Sequence, residues 1–148
     1  MRAEDAVTAS TYFDAAFGSR RTLVARAKRA LADVEFDTMV GTGLSGALVI
    51  PTLAKALDVD FLLVRKDSDE SHSSGEPAGT LGHQWIFVDD FVSTGATLAH
   101  VRSEVEEFAE TNDMDPHFDT TYMGAYLYQT YRGRGPGFWR PGHEFPRL

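Results

Sequence analysis

Short apolar strands alternating with amphipathic helices predict an α/β fold for this chain: a single doubly wound domain, with a mainly parallel sheet and helices on both faces. Two observations carry that expectation. The strand candidates are apolar throughout, as strands covered on both faces are, and several run directly into glycine- or hydroxyl-rich turns that open a helix. In order, the chain first forms a helix from Ser19, where Leu23, Val24, Ala27 and Leu31 recur at helical spacing and Arg20, Arg21, Arg26, Lys28 and Arg29 supply a solvated face. Residues 36–40 make a first strand, broken by Gly41, Thr42 and Gly43, and residues 45–57 a second helix that Pro51 shortens or kinks. Strands follow at 61–64 and, beyond a long polar loop, at 85–88. A third helix spans 96–110, with Leu98, Val101, Val105 and Phe108 on one face, and residues 120–131 make a final aromatic strand. Such sheets bind ligands at the carboxyl ends of their strands, so the unusual sequences at 41–46, 65–82 and 89–97 converge on one crevice.

The 148 residues suffice for one compact domain with its own core, taken as 1–148. No long uncharged apolar run or secretory segment appears near the N-terminus, where Arg2, Glu4 and Asp5 intervene, so a cytoplasmic protein with no membrane partner is expected. The lack of cysteine excludes a disulfide framework, a thiolate nucleophile and sulfur-ligated metal centres. A net charge of −8 argues against a surface built for a nucleic-acid backbone, and no nucleic-acid partner is expected. A phosphorylated small molecule is compatible with that charge, because backbone amides and a divalent cation can supply the positive field.

The most informative stretch is 86–97: a buried strand, two acids, a short apolar pair, then hydroxyls and glycine opening a helix. Backbone N–H groups of Ser93, Thr94, Gly95, Ala96 and Thr97 lie at the positive end of a helix, and three hydroxyls add donors, so a dianionic phosphate fits there. Gly95 lets the backbone approach closely. Asp89 and Asp90 emerge at the strand end, where carboxylates accept hydrogen bonds from ribose hydroxyls or hold magnesium through water.

Residues 85–97 resemble the binding motif for 5-phosphoribosyl 1-pyrophosphate (PRPP) of the type I phosphoribosyltransferases: four apolar residues, two acids and a loop of small residues. The resemblance covers roughly 36–101 and implies a second turn, 41–45, as the pyrophosphate loop, with Thr42, Gly43, Leu44 and Ser45 receiving the leaving group. Relatives often carry a strained peptide there, so strain is expected at Gly41, Thr42 or Gly43. The stretch from Gly46 through Pro51 to Arg65 and Lys66 is similar to adenine-type members, which implies Lys66 near the pyrophosphate or its magnesium and Arg65 near the base. Residues 66–82 stand where the family has its flexible loop. The further lysine of orotate-type loops is replaced by Asp67, Asp69 and Glu70, while Glu76 is the late-loop carboxylate that could handle a base proton. A loop glutamate or histidine such as His72 is more commonly just solvated. Base-binding hoods are sought at 1–18 (Tyr12, Phe13, Phe17) and 132–148 (Phe138, Trp139, Phe145), whose aromatic faces could instead pack a core or dimer surface.

The implied reaction is transfer of the phosphoribosyl group to a nitrogenous base, a purine by the adenine-type likeness. Asp89, Asp90 and Lys66 are the catalytic candidates, Mg2+ is the cofactor, and a homodimer follows from family habit. Two alternatives stand beside it. One is a PRPP-sensing regulator without catalysis. The other is an NADP-binding oxidoreductase, because 41–46 spells G-x-G-x-x-G between strand and helix. That reading finds Arg65 where an NAD site has an acid, and it leaves the 89–97 turn without a use.

Overall fold

The computed structural model describes residues 19–65, 77–90, 92, 94–111, 115, 117–129 and 137–143, apart from the Ser45 side chain. Its elements in chain order are α1 (Arg20–Ala30), β1 (Thr38–Thr42), α2 (Gly43–Leu57), β2 (Asp60–Val64), β3 (Ala78–Gly79), β4 (Gln84–Asp89), α3 (Ala96–Glu110), β5 (Thr121–Leu127) and β6 (Gly137–Trp139). They build one six-stranded sheet in the order β3-β2-β1-β4-β5-β6. The four inner strands are parallel, and the short edge strands β3 and β6 are antiparallel to their neighbours.

Alternation along each strand divides the core in two. Met39, Ile86, Val88 and Tyr126 face α1 and α2, packing against Leu23, Ala27, Val49, Ile50 and Leu53. Val40, Leu62, Val64, Trp85, Phe87 and Ala125 face the other way, against Val101 and Val105 of α3. Helices therefore cover both faces, as the uniformly apolar strands require, since a strand buried on both sides has no polar face to offer. Each tyrosine of β5 buries its ring on one of these faces. Burial pushes the phenols of Tyr122 and Tyr126 up to about 12, against a smaller lowering by Arg102 and Arg26 respectively. The Arg102 guanidinium lies over the Tyr122 ring, 4.6 Å from its centroid.

Several boundaries differ from the sequence expectation, each for a local reason. Ser19 does cap α1, its Oγ accepting from the Thr22 N–H at 3.1 Å. β1 is shifted two residues later than 36–40, because Gly41 and Thr42 continue the ladder opposite Leu63 and Val64 and do not break it. Consequently α2 begins at Gly43, with no loop between strand and helix. Pro51 does not end α2, which runs on to Leu57 and stops at Asp58, a left-handed residue (φ 56°), where the Val59 N–H returns to the Ala54 carbonyl at 3.0 Å. β5 ends at Leu127, short of the expected Tyr131. It also carries a bulge: Tyr122 pairs with Trp85 and Gly124 with Ile86, which leaves Met123 as the extra residue. Gly124 sits at φ +137°, and a Cβ there would run into the Trp139 carbonyl oxygen of β6.

At the amino ends of the strands one carboxylate ties the start of β1 to the start of β4. Asp37 accepts from the Thr38 hydroxyl (2.7 Å), the His83 N–H (3.0 Å) and the Gln84 N–H (3.2 Å), while the Thr38 Oγ1 accepts from the Gly82 N–H (2.9 Å). The chain is thereby registered into β4 before its first ladder bond. Asp37→Ala leaves the half-buried Gln84 amide without this acceptor while the exposed His83 N–H turns to water, and a loss of about 1 to 2 kcal/mol is expected from the shift of the urea midpoint.

Candidate functional site

β1 and β4 are neighbours, yet the chain leaves β1 toward β2 through α2 on one face and leaves β4 toward β5 through α3 on the other. The gap between their carboxyl ends is thus the topological switch point of the sheet, where doubly wound proteins open a crevice. The strands come unusually close there. A Cβ on Gly41 would lie 2.8 Å from the Val88 carbonyl oxygen and collide with the Ile50 side chain, so only glycine allows this approach. One residue further along each strand stand Thr42 and Asp89.

On the β1 side, Thr42 is extended (φ −148°, ψ 163°) and only 6% exposed, and its hydroxyl neither caps α2 nor has another hydrogen-bond partner among the described residues. A buried hydroxyl without a partner is costly. Gly43 takes the left-handed conformation (φ 78°) that swings the chain from strand to helix, a geometry glycine adopts without strain. Leu44 follows, 75% exposed, and Ser45 continues the first turn of α2. Of the three positions at which strain was expected, Gly43 alone has a positive φ.

On the β4 side, Asp89 and Asp90 are half-buried at the strand end. Asp89 Oδ1 accepts from the Asp90 N–H at 2.9 Å, which fixes that carboxylate against its own backbone. The two carbonyls are held by the residues just after β5, accepting from Tyr128 N–H (3.0 Å) and Gln129 N–H (3.3 Å). Val92, 4% exposed, pins the turn to the core. Gly95 caps α3 in the left-handed region (φ 90°), with open space where a Cβ would be. The Thr94 Oγ1 accepts from the Ala96 N–H at 3.2 Å, and Thr94, Ala96 and Thr97 are all exposed at the positive end of α3. Ser93, Lys66, Glu76 and His72 lie outside the described residues, as do Tyr12, Phe13, Phe17 and Phe145. Phe138 and Trp139 are half-buried in β6, beside β5.

Arg65 follows β2, so the expected convergence of three strand ends is met by β2, β1 and β4 side by side. A residue that sequence reasoning did not single out also belongs here. His100 Nε2 lies 2.9 Å from the Arg65 carbonyl, linking α3 to the end of β2. Nothing in the sequence marks it, since it occupies an ordinary polar slot beside Val101 on a helix.

Among the described residues no cluster of three or more histidines or carboxylates could hold a metal ion, and no helix is long and apolar enough to cross a membrane. Asp89 and Asp90 nevertheless suit magnesium, a hard cation that retains waters and takes one or two carboxylates together with substrate phosphates.

No protein-family model matches the chain. In sequence it is 30% identical over 82 residues to the transcriptional regulator GfcR of Methanococcoides burtonii, a match covering 51% of this chain and 40% of that protein. In structure it is similar to the orotate phosphoribosyltransferase of Mycobacterium tuberculosis H37Rv solved with PRPP (TM-score 0.52, 15% identity, 72% of this chain and 56% of that one). It is likewise similar to an adenine phosphoribosyltransferase (TM-score 0.51, 23% identity, 78% and 71%). The chain spans about half the length of the orotate enzyme and less of the regulator. On this likeness to solved structures, the chain has the type I phosphoribosyltransferase fold.

Proposed function

We propose that the crevice between β1 and β4 binds PRPP with magnesium and that the protein transfers the phosphoribosyl group to a ring nitrogen of a base, releasing pyrophosphate. The observation that carries this reading is the meeting of two anion-suited turns, 42–45 and 94–97, on either side of the Asp89 and Asp90 carboxylates. A ligand with phosphate at one end, pyrophosphate at the other and a diol between them needs such a row of groups. The turn at the start of α3 takes the 5-phosphate, and that binding energy holds the anomeric carbon in place. Backbone amides at Gly43, Leu44 and Ser45, with the Thr42 hydroxyl, receive the pyrophosphate as it departs with its electron pair. Asp89 and Asp90 orient the ribose and lie near its developing positive charge. Magnesium, when bound, would neutralise the leaving group. Lys66 near the pyrophosphate, and Arg65 and Glu76 on the base side, complete the reading. It includes a purine acceptor, by the likeness to adenine-type members, and a cytoplasmic homodimer.

The test is pyrophosphate release from PRPP and magnesium with adenine, hypoxanthine, guanine, xanthine, uracil and orotate, together with calorimetric PRPP binding. Release with one base establishes the transferase and names its acceptor, whereas absence of PRPP binding removes the reading. A second reading is favoured by the similarity to a transcriptional regulator: a PRPP sensor with the same site, which would bind PRPP and release pyrophosphate with none of the bases. In either case Gly95→Val is expected to weaken PRPP roughly tenfold by calorimetry, because a side chain at φ 90° is strained and projects into the space the phosphate would use. Fold stability should fall by about 1 to 2 kcal/mol from that backbone strain, with no further clash, since no atom of the described residues lies within 4 Å of the added Cβ.

A further inference from the structure

The bond between His100 and the Arg65 carbonyl joins two elements that the sheet ladder does not. The β1–β2 ladder has its last rung at Thr42 and Val64, so the Arg65 carbonyl lies just past it, where a strand-end acceptor needs another donor. His100, in the second turn of α3, supplies it at 2.9 Å from a half-buried position. Below it, Val101 and Val105 pack with Leu62 and Val64, which brings helix and strand together without fixing their offset along the strand.

We propose that His100 is a positioning residue for the phosphoribosyl site. By holding the Arg65 carbonyl it sets the distance between the carboxyl end of β2 and the helix whose N-terminus takes the 5-phosphate. The inference rests on the PRPP reading above and adds to it a residue that touches no substrate. A carbonyl only accepts, so Nε2 is the donor of this bond, and the tie acts as a strut between helix and strand. A strut of this kind matters to a ligand that spans both ends of the crevice. It is irrelevant to one that occupies the start of α3 alone.

That distinction supplies the experiment. Binding of PRPP with magnesium and of ribose 5-phosphate is measured by calorimetry for the wild type, His100→Ala and His100→Gln, with thermal denaturation of each. His100→Ala is expected to weaken PRPP about tenfold while leaving ribose 5-phosphate within about twofold, the first being the size of one lost hydrogen bond. His100→Gln, whose amide N–H can donate to the same carbonyl, should recover most of the PRPP affinity. Equal loss for both ligands, or loss for neither, overturns the strut. So does a glutamine variant as weak as the alanine one with an unchanged melting temperature. Failure of the underlying reading is separate and visible in the wild type, which would then not bind PRPP at all.

Discussion

Replacing Asp89 and Asp90 together by asparagine is expected to lower pyrophosphate release by roughly a thousandfold or more, with the melting temperature close to that of the wild type. Both effects follow from where the carboxylates stand. They are half-buried at a strand end whose carbonyls are already held by Tyr128 and Gln129, so the amide replacements keep the shape and the backbone bonds. On the proposed reading, what disappears is two negative charges beside the carbon that becomes positive as pyrophosphate leaves, and two strong acceptors for the ribose diol. Asparagine also brings an NH2 group, a donor where the diol needs an acceptor. Steady-state assay with the acceptor base checks the first effect and differential scanning fluorimetry the second. Normal turnover by the double variant would remove the role assigned to this pair.

Gly41→Val should be the most damaging single change to the fold around the crevice. The Ile50 side chain could move aside from a new Cβ, but the Val88 carbonyl oxygen at 2.8 Å belongs to β4 and cannot, so the two strands must part. A loss of about 3 kcal/mol is expected from such overpacking. In a chain of this size that lowers the melting temperature by roughly 6 to 12 °C. Because the parting strands carry Thr42 and Asp89, PRPP affinity should fall with it. Gly46 makes the internal control: a Cβ there meets Gly41 and Ile50 at 3.6 and 3.7 Å, ordinary contact, and Gly46→Ala should be neutral or stabilising by up to about 1 kcal/mol. If the two glycines respond alike, close strand approach is not what selects Gly41.

The alternation of strands and helices, the doubly wound class and the limits of α3 were legible because each depends on a pattern long enough to repeat. Leu98, Val101, Val105 and Phe108 mark a helix of 15 residues, and Trp85 through Val88 can only be a strand covered on both sides. Both edge strands were illegible for the opposite reason. β3 has two residues and β6 three, too few for periodicity, and their pairing is decided by Leu62, Leu63 and the residues of β5, far away in sequence. The shift of β1 past Gly41 has a similar origin, since glycine reads as a break until β2 supplies a ladder opposite it. Of the candidate site, the turns at 42–45 and 89–97 were readable as sequence patterns because their residues stand in consecutive positions. The burial of the Thr42 hydroxyl and the bond from His100 to the Arg65 carbonyl were not, because each is a relation between elements that only folding brings together.

The bracket at Asp37 has a wider consequence. It holds the amino end of β4 at Gln84, whereas Asp89 lies at the opposite end of the same strand, about 17 Å away at the rise of an extended chain. Perturbations that far apart, with no shared partner, combine without interaction energy. Substitutions that loosen or strengthen the Asp37 end therefore change how much of the chain is folded, and exchanges of the Asp89 carboxylate change what the folded chain binds, with neither altering the other's effect. A sheet divided in this way can drift in acceptor or lose turnover altogether while its global stability stays constant, which is how one scaffold could serve both a transferase and a sensor.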